Sequence, residues 1–272
     1  MMTTQNNGLR ALVVGESWIK HTVHMKGFDH FQNTQYEEGA GVFLECLDRS
    51  GFDVTYIRAH EISGRFPTTR KELDSYDVVI ISDVGANSFL LGDETFLHSQ
   101  ISVNRLELLA EYVELGGGLV MVGGYLSFSG IDARARYGRS PLARVLPVEM
   151  LDRDDRVEMP QGFRAEVTEP GHPVLGGTPP NWPTLLGYNQ LIAKPDATVI
   201  ARHGDDPILV TGTYGLGNAV AFASDLAPHW APPQFMNWEH YRGLWESILS
   251  WAAAGRGQDT STSLVDSELS SS

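Results

Sequence analysis

Three short apolar runs punctuate the first eighty residues, Arg10 to Gly15 (RALVVG), Asp53 to Arg58 (DVTYIR) and Asp77 to Ser82 (DVVIIS). Runs of this length, rich in Val and Ile and bounded by polar residues, predict buried strands. Between the first two, Val42, Phe43, Cys46 and Leu47 recur at helical spacing within Glu37 to Arg49, and Gly51 supplies the stop. A second helix is predicted over Asn104 to Leu115, ended by Gly116, Gly117 and Gly118, and Leu119 to Val122 follows as a fourth buried strand. Alternation of this kind predicts an α/β fold with a doubly wound, mainly parallel sheet and helices on both faces.

From about Ser140 the pattern changes to short strands separated by Pro- and Gly-rich links: Phe163 to Val167, Thr198 to Arg202, Ile208 to Thr213 and Asn218 to Ser224. The last two flank Tyr214-Gly215-Leu216-Gly217 and predict a C-terminal β-hairpin extension. Tyr241, Leu244, Trp245, Ile248, Leu249 and Trp251 give a final amphipathic helix, Trp238 to Ala254, that should pack on the sheet. The expected organisation is a flexible N-terminus (1–8), one domain (9–255) and a disordered Ser-, Thr- and Asp-rich tail (256–272).

The 272 residues, 42% hydrophobic, suffice for one large core. Twenty Lys and Arg stand against 34 Asp and Glu, a net charge of −14, which disfavours nucleic acid and anionic membrane as partners. The expected partner is a small polar molecule, with a second copy of the chain as a further candidate. A single cysteine and a start without an apolar signal core lead to an expected cytoplasmic location.

Ligands of doubly wound sheets bind beyond the carboxyl ends of the strands. Residues there are therefore the candidates: Glu16 and Ser17, His60, Asp83 and Asn87, and Gly123 to Ser129. The run GGGLVMVGGYLSFSG from Gly116 enters a strand through three glycines and leaves it through Gly123 and Gly124, with Ser127 and Ser129 beyond. Such an exit fits a nucleophile elbow, a close approach of ligand to backbone, or a tight turn with no ligand. His24 and Lys26 join Glu16 as candidate ligand-gripping residues. His21, His24 and His30, with His60 and Asp83 nearby, offer a metal site as an alternative, but H-x-x-H-x5-H matches no standard zinc spacing, and no metal or other cofactor is expected. Asp152 to Glu158 reads as surface ion pairs. Asp225 and His229, after the last strand, form a candidate acid–base pair or, alternatively, a capped turn with packing.

The segments GESW (Gly15 to Trp18), SDVGAN (Ser82 to Asn87), GGYLSFSG (Gly123 to Gly130), DDRVEMP (Asp154 to Pro160) and SDLAPHW (Ser224 to Trp230) resemble those of the glutamine amidotransferase-like family of bacterial proteins, from about Leu9 to Ala254. More remotely the chain resembles trehalose-utilisation proteins and class I glutamine amidotransferases, which implies a flavodoxin-like sheet. In the amidotransferases the elbow reads G-x-C-x-G and a Cys-His-Glu triad acts. Here Gly123-Gly124-Tyr125-Leu126-Ser127 stands in that place, so the resemblance implies Tyr125 at the nucleophile position, a phenol of reference pKa about 10 where a thiol of about 8.5 belongs. Cys46, on an apolar helical face, reads as core. Two functions follow as expectations. One is an acid–base enzyme for a small polar, sugar-like molecule, using Glu16, Tyr125, Asp225 and His229. The other is a binding module without chemistry.

Overall fold

The computed structural model describes residues 8–257, so the expected flexible N-terminus and disordered tail lie almost wholly outside the described residues. The predicted apolar runs form β1 (Arg10–Gly15), β4 (Asp53–Ile57), β5 (Val78–Ser82) and β6 (Gly118–Val122). The side chains of β1, β5 and β6 are almost all removed from water, as expected of parallel strands covered on both faces, whereas β4, at the sheet edge, buries only Ile57. Helix α1 (Gly41–Arg49) links β1 to β4 and buries Phe43, Cys46 and Leu47. Helix α2 (Arg105–Glu114) precedes β6, and the Asn104 side chain caps it by accepting the amides of Leu106 and Glu107, each at 3.1 Å.

An eight-stranded sheet runs in the order β4-β1-β5-β6-β14-β13-β12-β9, with β14 (Gly217–Phe222), β13 (Asp206–Tyr214), β12 (Thr198–His203) and β9 (Glu166–Val167). The first five strands are parallel and the remaining neighbours antiparallel. From β1 the chain winds outward to β4 and then back across to β5 and β6. Right-handed crossovers in these two directions place α1 and α2 on opposite faces. Helix α3 (Tyr241–Ala253) packs on β14 and β6 beside α1, with Trp245 edge-on to Phe43 at 5.1 Å and to Phe222 at 5.3 Å.

The predicted C-terminal hairpin is present as β13 and β14, and it extends the sheet because β14 hydrogen-bonds in parallel to β6. Two other expectations are corrected. Phe163 to Val167 is not one strand, because β8 (Arg156–Phe163) ends there and pairs with β10 (Leu185–Asn189), while β9 is a separate edge. A smaller pair joins β7 (Val148–Met150) to β11 (Leu191–Ala193). Lastly, the helix expected from Glu37 starts at Gly41, because residues up to Glu38 belong to a two-stranded ribbon of β2 (Ser17–Lys26) and β3 (Asp29–Glu38). The turn Gly27-Phe28 closes it, with Gly27 at φ +67°.

Candidate functional site

Strand order reverses between β1 and β5, and the residues leaving those two strands are carboxylates, Glu16 and Asp83. Both hold left-handed backbones, with φ of 50° and 44°. Such conformations cost non-glycine residues about 1–3 kcal/mol and cluster at functional positions. The Glu16 amide donates to the Ser82 carbonyl at 2.9 Å, and the Tyr56 hydroxyl donates to the Gly15 carbonyl at 3.0 Å, which ties the turn to its neighbouring strands. Asp225 leaves β14 at the same edge. Glu16 and Asp225 are buried, and Asp83 is half-buried.

Three carboxyls in electrostatic reach of one another cannot all ionise cheaply. Burial, then the charge of Asp83, pushes the Glu16 carboxyl up to about 8, against a hydrogen bond from the Ser82 hydroxyl at 2.5 Å. Burial followed by the charges of Glu16 and Asp83 raises Asp225 well above the carboxylate range. Asp83 is also raised by burial, opposed by the Leu126 amide at 2.6 Å and by the charge of His229. The group therefore retains protons at neutral pH. Among the described residues no group of three or more His, Cys, Asp or Glu side chains is arranged to hold a metal ion.

The Gly123-Gly124 exit is forced by its surroundings. A Cβ at Gly123 would stand 2.1 Å from the Ala223 carbonyl oxygen, and one at Gly124 2.8 Å from Asp83 Oδ1, at φ +151°. Beyond it the Tyr125 and Leu126 amides both donate to the Asp83 carboxylate, and the Asp83 amide donates to Ser127 Oγ at 3.1 Å. The loops after β5 and β6 are thus latched reciprocally. Tyr125 lies half-buried at the rim, its ring 4.2 Å from that of His229 and 4.4 Å from the Arg156 guanidinium, its hydroxyl donating to Glu158 Oε1 at 2.8 Å. Burial and Glu158 raise the phenol further, so Tyr125 is held as a neutral acid and not as a phenolate nucleophile.

The sequence candidates divide by place. Glu16, Asp83, Gly123, Gly124, Tyr125, Asp225 and His229 meet at one end of the sheet. Asp225 accepts the Ala227 amide at 2.9 Å and turns inward; it makes no hydrogen bond to His229, which is exposed and feels Asp83 instead. The expected Asp225–His229 orienting pair is thereby corrected. Ser17 Oγ accepts the Ala59 amide at 2.9 Å, and Ser129 Oγ donates to the Leu151 carbonyl, so both hydroxyls serve the backbone. His60 is exposed and meets the Tyr36 ring edge-on at 5.3 Å, and Asn87 is exposed at the start of a short helix, Asn87–Leu90. His24 and Lys26 are far out on the ribbon, with His24 stacked on Phe31 at 4.5 Å and Lys26 5.7 Å from that ring. Eight residue steps along β2 separate His24 from Glu16, about 26 Å at the rise of a β-strand, which removes His24 and Lys26 from the site. His21 and His30 lie along the same ribbon.

Asn189 and Asp155 went unread. Asn189 is fully buried and clasps the elbow: its Oδ1 accepts the Gly124 amide at 3.0 Å, and its Nδ2 donates to the Gly124 carbonyl at 3.2 Å and to Asp155 Oδ1 at 2.8 Å. Asp155 in turn accepts the Ser129 and Gly130 amides, both at 2.9 Å. Only its neighbours behave as the expected surface pairs, Arg156 with Asp154 at 2.9 Å and with Glu158 at 3.6 Å. Asp155 is masked in the sequence by the charges around it, whereas Asn189 follows a run, LLGY, that resembles a buried strand.

Cys46 is buried on α1, and burial pushes its thiol up to about 12. The native protein is expected to resist iodoacetamide near pH 8 and to react fully once unfolded, read by intact mass. Rapid alkylation of the folded chain would return Cys46 to candidacy.

Residues 10–254 match a family model described as "Putative glutamine amidotransferase". Two solved structures are similar over nearly the whole chain: cytoplasmic protein STM3548 from Salmonella typhimurium and cytoplasmic protein STM1381 from Salmonella typhimurium LT2. Each is 50% identical, with 90% of this chain and 99% of that chain covered, at TM-scores of 0.87 and 0.86. A "Putative thua-like protein" from Bacteroides uniformis, 13% identical, shares the fold at a TM-score of 0.52, covering 90% of this chain and 91% of that one. No curated protein matches the chain.

Proposed function

Since the chain belongs to the glutamine amidotransferase-like family, we propose that it keeps the family's site location and replaces its thiol chemistry with acid–base chemistry on a small polar, sugar-like metabolite. The observation that carries this reading is the meeting of Glu16, Asp83 and Asp225 at the strand-order reversal, with Glu16 holding a proton up to about pH 8. A carboxyl raised into that range can act as a general acid where an ordinary glutamate would be spent. Asp83, half-buried and beside His229, faces the rim where substrate would arrive. His229 serves as the exchangeable base there, and Tyr125 gives its ring as a platform and its phenol as a donor. No step runs through Cys46, so the absent elbow thiol is part of the proposal. A cytoplasmic location belongs to the same reading, because both 50%-identical relatives are named cytoplasmic proteins.

The competing reading, a metabolite-binding module without turnover, draws support from one feature, the Asp83 carboxylate lodged against the elbow amides. One experiment separates the two. Sugars, sugar acids and amino-acid amides are screened for thermal stabilisation, since a site ligand stabilises in proportion to its occupancy, and hits are followed for product. His229→Ala is expected to leave the melting temperature within error, its ring being exposed, while turnover falls about 10²- to 10⁴-fold. Ligand stabilisation without product would assign the chain to the binding class. Ammonia released from glutamine and abolished by Cys46→Ser would overturn the proposal.

A further inference from the structure

Acidic side chains outnumber Lys and Arg by 34 to 20, and most of the described arginines are ion-paired to an Asp or Glu. Arg136 and Arg139 are not. Both are exposed, and neither guanidinium has a hydrogen-bond or ion-pair partner among the described residues. They face one cavity of about 390 Å³, which lies between the segment after β6 and the end of β7, Met150 to Asp152. Small-molecule sites occupy about 300–1,000 Å³. None of Glu16, Asp83, Tyr125, Asp225 or His229 lines this cavity.

The wall that presents the two arginines is strained. Asp132, Ala133 and Arg136, all lining residues, hold left-handed backbones at φ of 51°, 54° and 64°. Aspartate visits that region with help from its own side chain, whereas alanine and arginine have no such help. The conformation is imposed from beneath. The Ala135 amide donates to the Ser129 carbonyl at 2.9 Å, and the Ala135 carbonyl accepts the Ala86 amide at 2.8 Å. The Tyr137 amide donates to the Phe128 carbonyl at 3.0 Å and its hydroxyl to the Val84 carbonyl at 2.6 Å. With Ala135 and Tyr137 both buried in the core, Arg136 between them is turned outward to the cavity. Across the cavity Asp152 is exposed and has no partner among the described residues, while Asp132 is taken by Arg134 at 3.2 Å. Two positive charges and one negative are thus left to a ligand.

We propose that this cavity binds a small metabolite carrying an oxyanion, phosphate or carboxylate, beside hydroxyl groups. Arg136 and Arg139 hold the oxyanion, and Asp152 accepts a hydroxyl. A guanidinium is a planar fork of donors matched to two oxygens of an oxyanion, and a carboxylate offers acceptors alone. In a chain of net charge −14 most of the surface repels anions, so two arginines kept clear of carboxylates on one concavity mark the place where an anion is drawn in. The same net charge repels a nucleic-acid backbone, which is also too large to enter.

The test is calorimetric titration with glucose 6-phosphate, gluconate and inorganic phosphate, each to about 10 mM, with glucose as the neutral control. Glucose 6-phosphate or gluconate is expected to bind more tightly than inorganic phosphate, the preferred one telling phosphate from carboxylate, and glucose is expected not to bind. Arg136→Gln and Arg139→Gln should each weaken that anion about 10-fold or more. Arg139→Lys should weaken it as well, since it keeps the charge and loses the fork. Lys71→Gln/Arg242→Gln, which removes two exposed positive charges elsewhere, should leave the affinity unchanged. Arg136→Gly relieves the left-handed backbone, so it is expected to raise the melting temperature by about 2–4 °C while losing the anion, which separates a lost contact from a lost fold. The proposal is overturned if no anion binds up to about 10 mM, if the arginine variants bind as the native chain does, or if the distant pair weakens binding equally. His229→Ala should not alter this affinity, so failure here leaves the acid–base reading standing.

Discussion

At pH 9, Glu16→Gln is expected to be more stable than the native chain, by about 3–5 kcal/mol, while near pH 4 the two should differ little. In the unfolded chain a glutamate releases its proton near 4.5; in the fold Glu16 keeps it to about 8, because burial and the neighbouring Asp83 penalise the anion. Between those values the unfolded state sheds a proton that the folded state still holds. Stability contributed by the protonated carboxyl is therefore complete below about 4.5, falls as pH rises through the window, and is gone above about 8. Each unit of displacement is worth 1.36 kcal/mol, and the coupling to Asp83 and Asp225 spreads the loss over more than one group. Glutamine preserves the shape, can accept from the Ser82 hydroxyl as Glu16 does, and removes the titration. Denaturant melts of both proteins from acid to alkaline pH provide the check. Parallel curves would mean that Glu16 titrates normally and would remove the basis for its role as an acid. If Glu16 is that acid, the stabilised variant should also lose about 10²- to 10⁴-fold in turnover, the trade of stability for function common at active sites.

Asp155→Ala is expected to have the opposite effect, lowering stability by about 3–5 kcal/mol and the melting temperature by about 10 °C. Three buried donors, the Ser129 and Gly130 amides and the Asn189 side chain, converge on this carboxylate, and alanine leaves all three unpaired. Asn189 holds both the amide and the carbonyl of Gly124, so the loosening should reach the elbow and lower ligand affinity as well as stability. By contrast Asp154→Ala, which removes a carboxylate whose side chain is 35% exposed to water, should cost about 1 kcal/mol. Equal losses from the two substitutions would contradict the assignment of Asp155 as the buried member of its run.

That contrast marks how far the sequence could be read. Buried parallel strands declare themselves because both faces must be apolar, so β1, β5 and β6 stand out as uninterrupted runs, and the residues leaving them, Glu16, Asp83 and the Gly123-Gly124 pair, could be named as candidates. The β2–β3 ribbon was missed because its alternating pattern, Ile19, His21, Val23, Met25, is interrupted by polar residues on the apolar face, and a ribbon with no core against it carries little hydrophobic signal. Its one clear mark was Lys26-Gly27-Phe28-Asp29, a two-residue turn with glycine where φ must be positive. Asp155 was hidden because charge type says nothing of burial. The pairing of Asp225 with His229 followed from four residues of spacing, which cannot tell a side chain turned into the sheet end from one lying on its rim.

The Asp83 carboxylate against the Tyr125 and Leu126 amides has a consequence for any attempt to rebuild a glutaminase on this scaffold. In elbow hydrolases the amide following the nucleophile steadies the developing oxyanion. Here that amide is already saturated by an anion of the protein's own. Tyr125→Cys alone would install a nucleophile with nowhere to place negative charge, and the resident carboxylate would behave as a tethered competitive inhibitor. The order of engineering is therefore dictated: Asp83 must first be vacated, by Asp83→Ala or Asp83→Gly, so that the Leu126 amide is free to steady an oxyanion before a thiol at 125 could turn over.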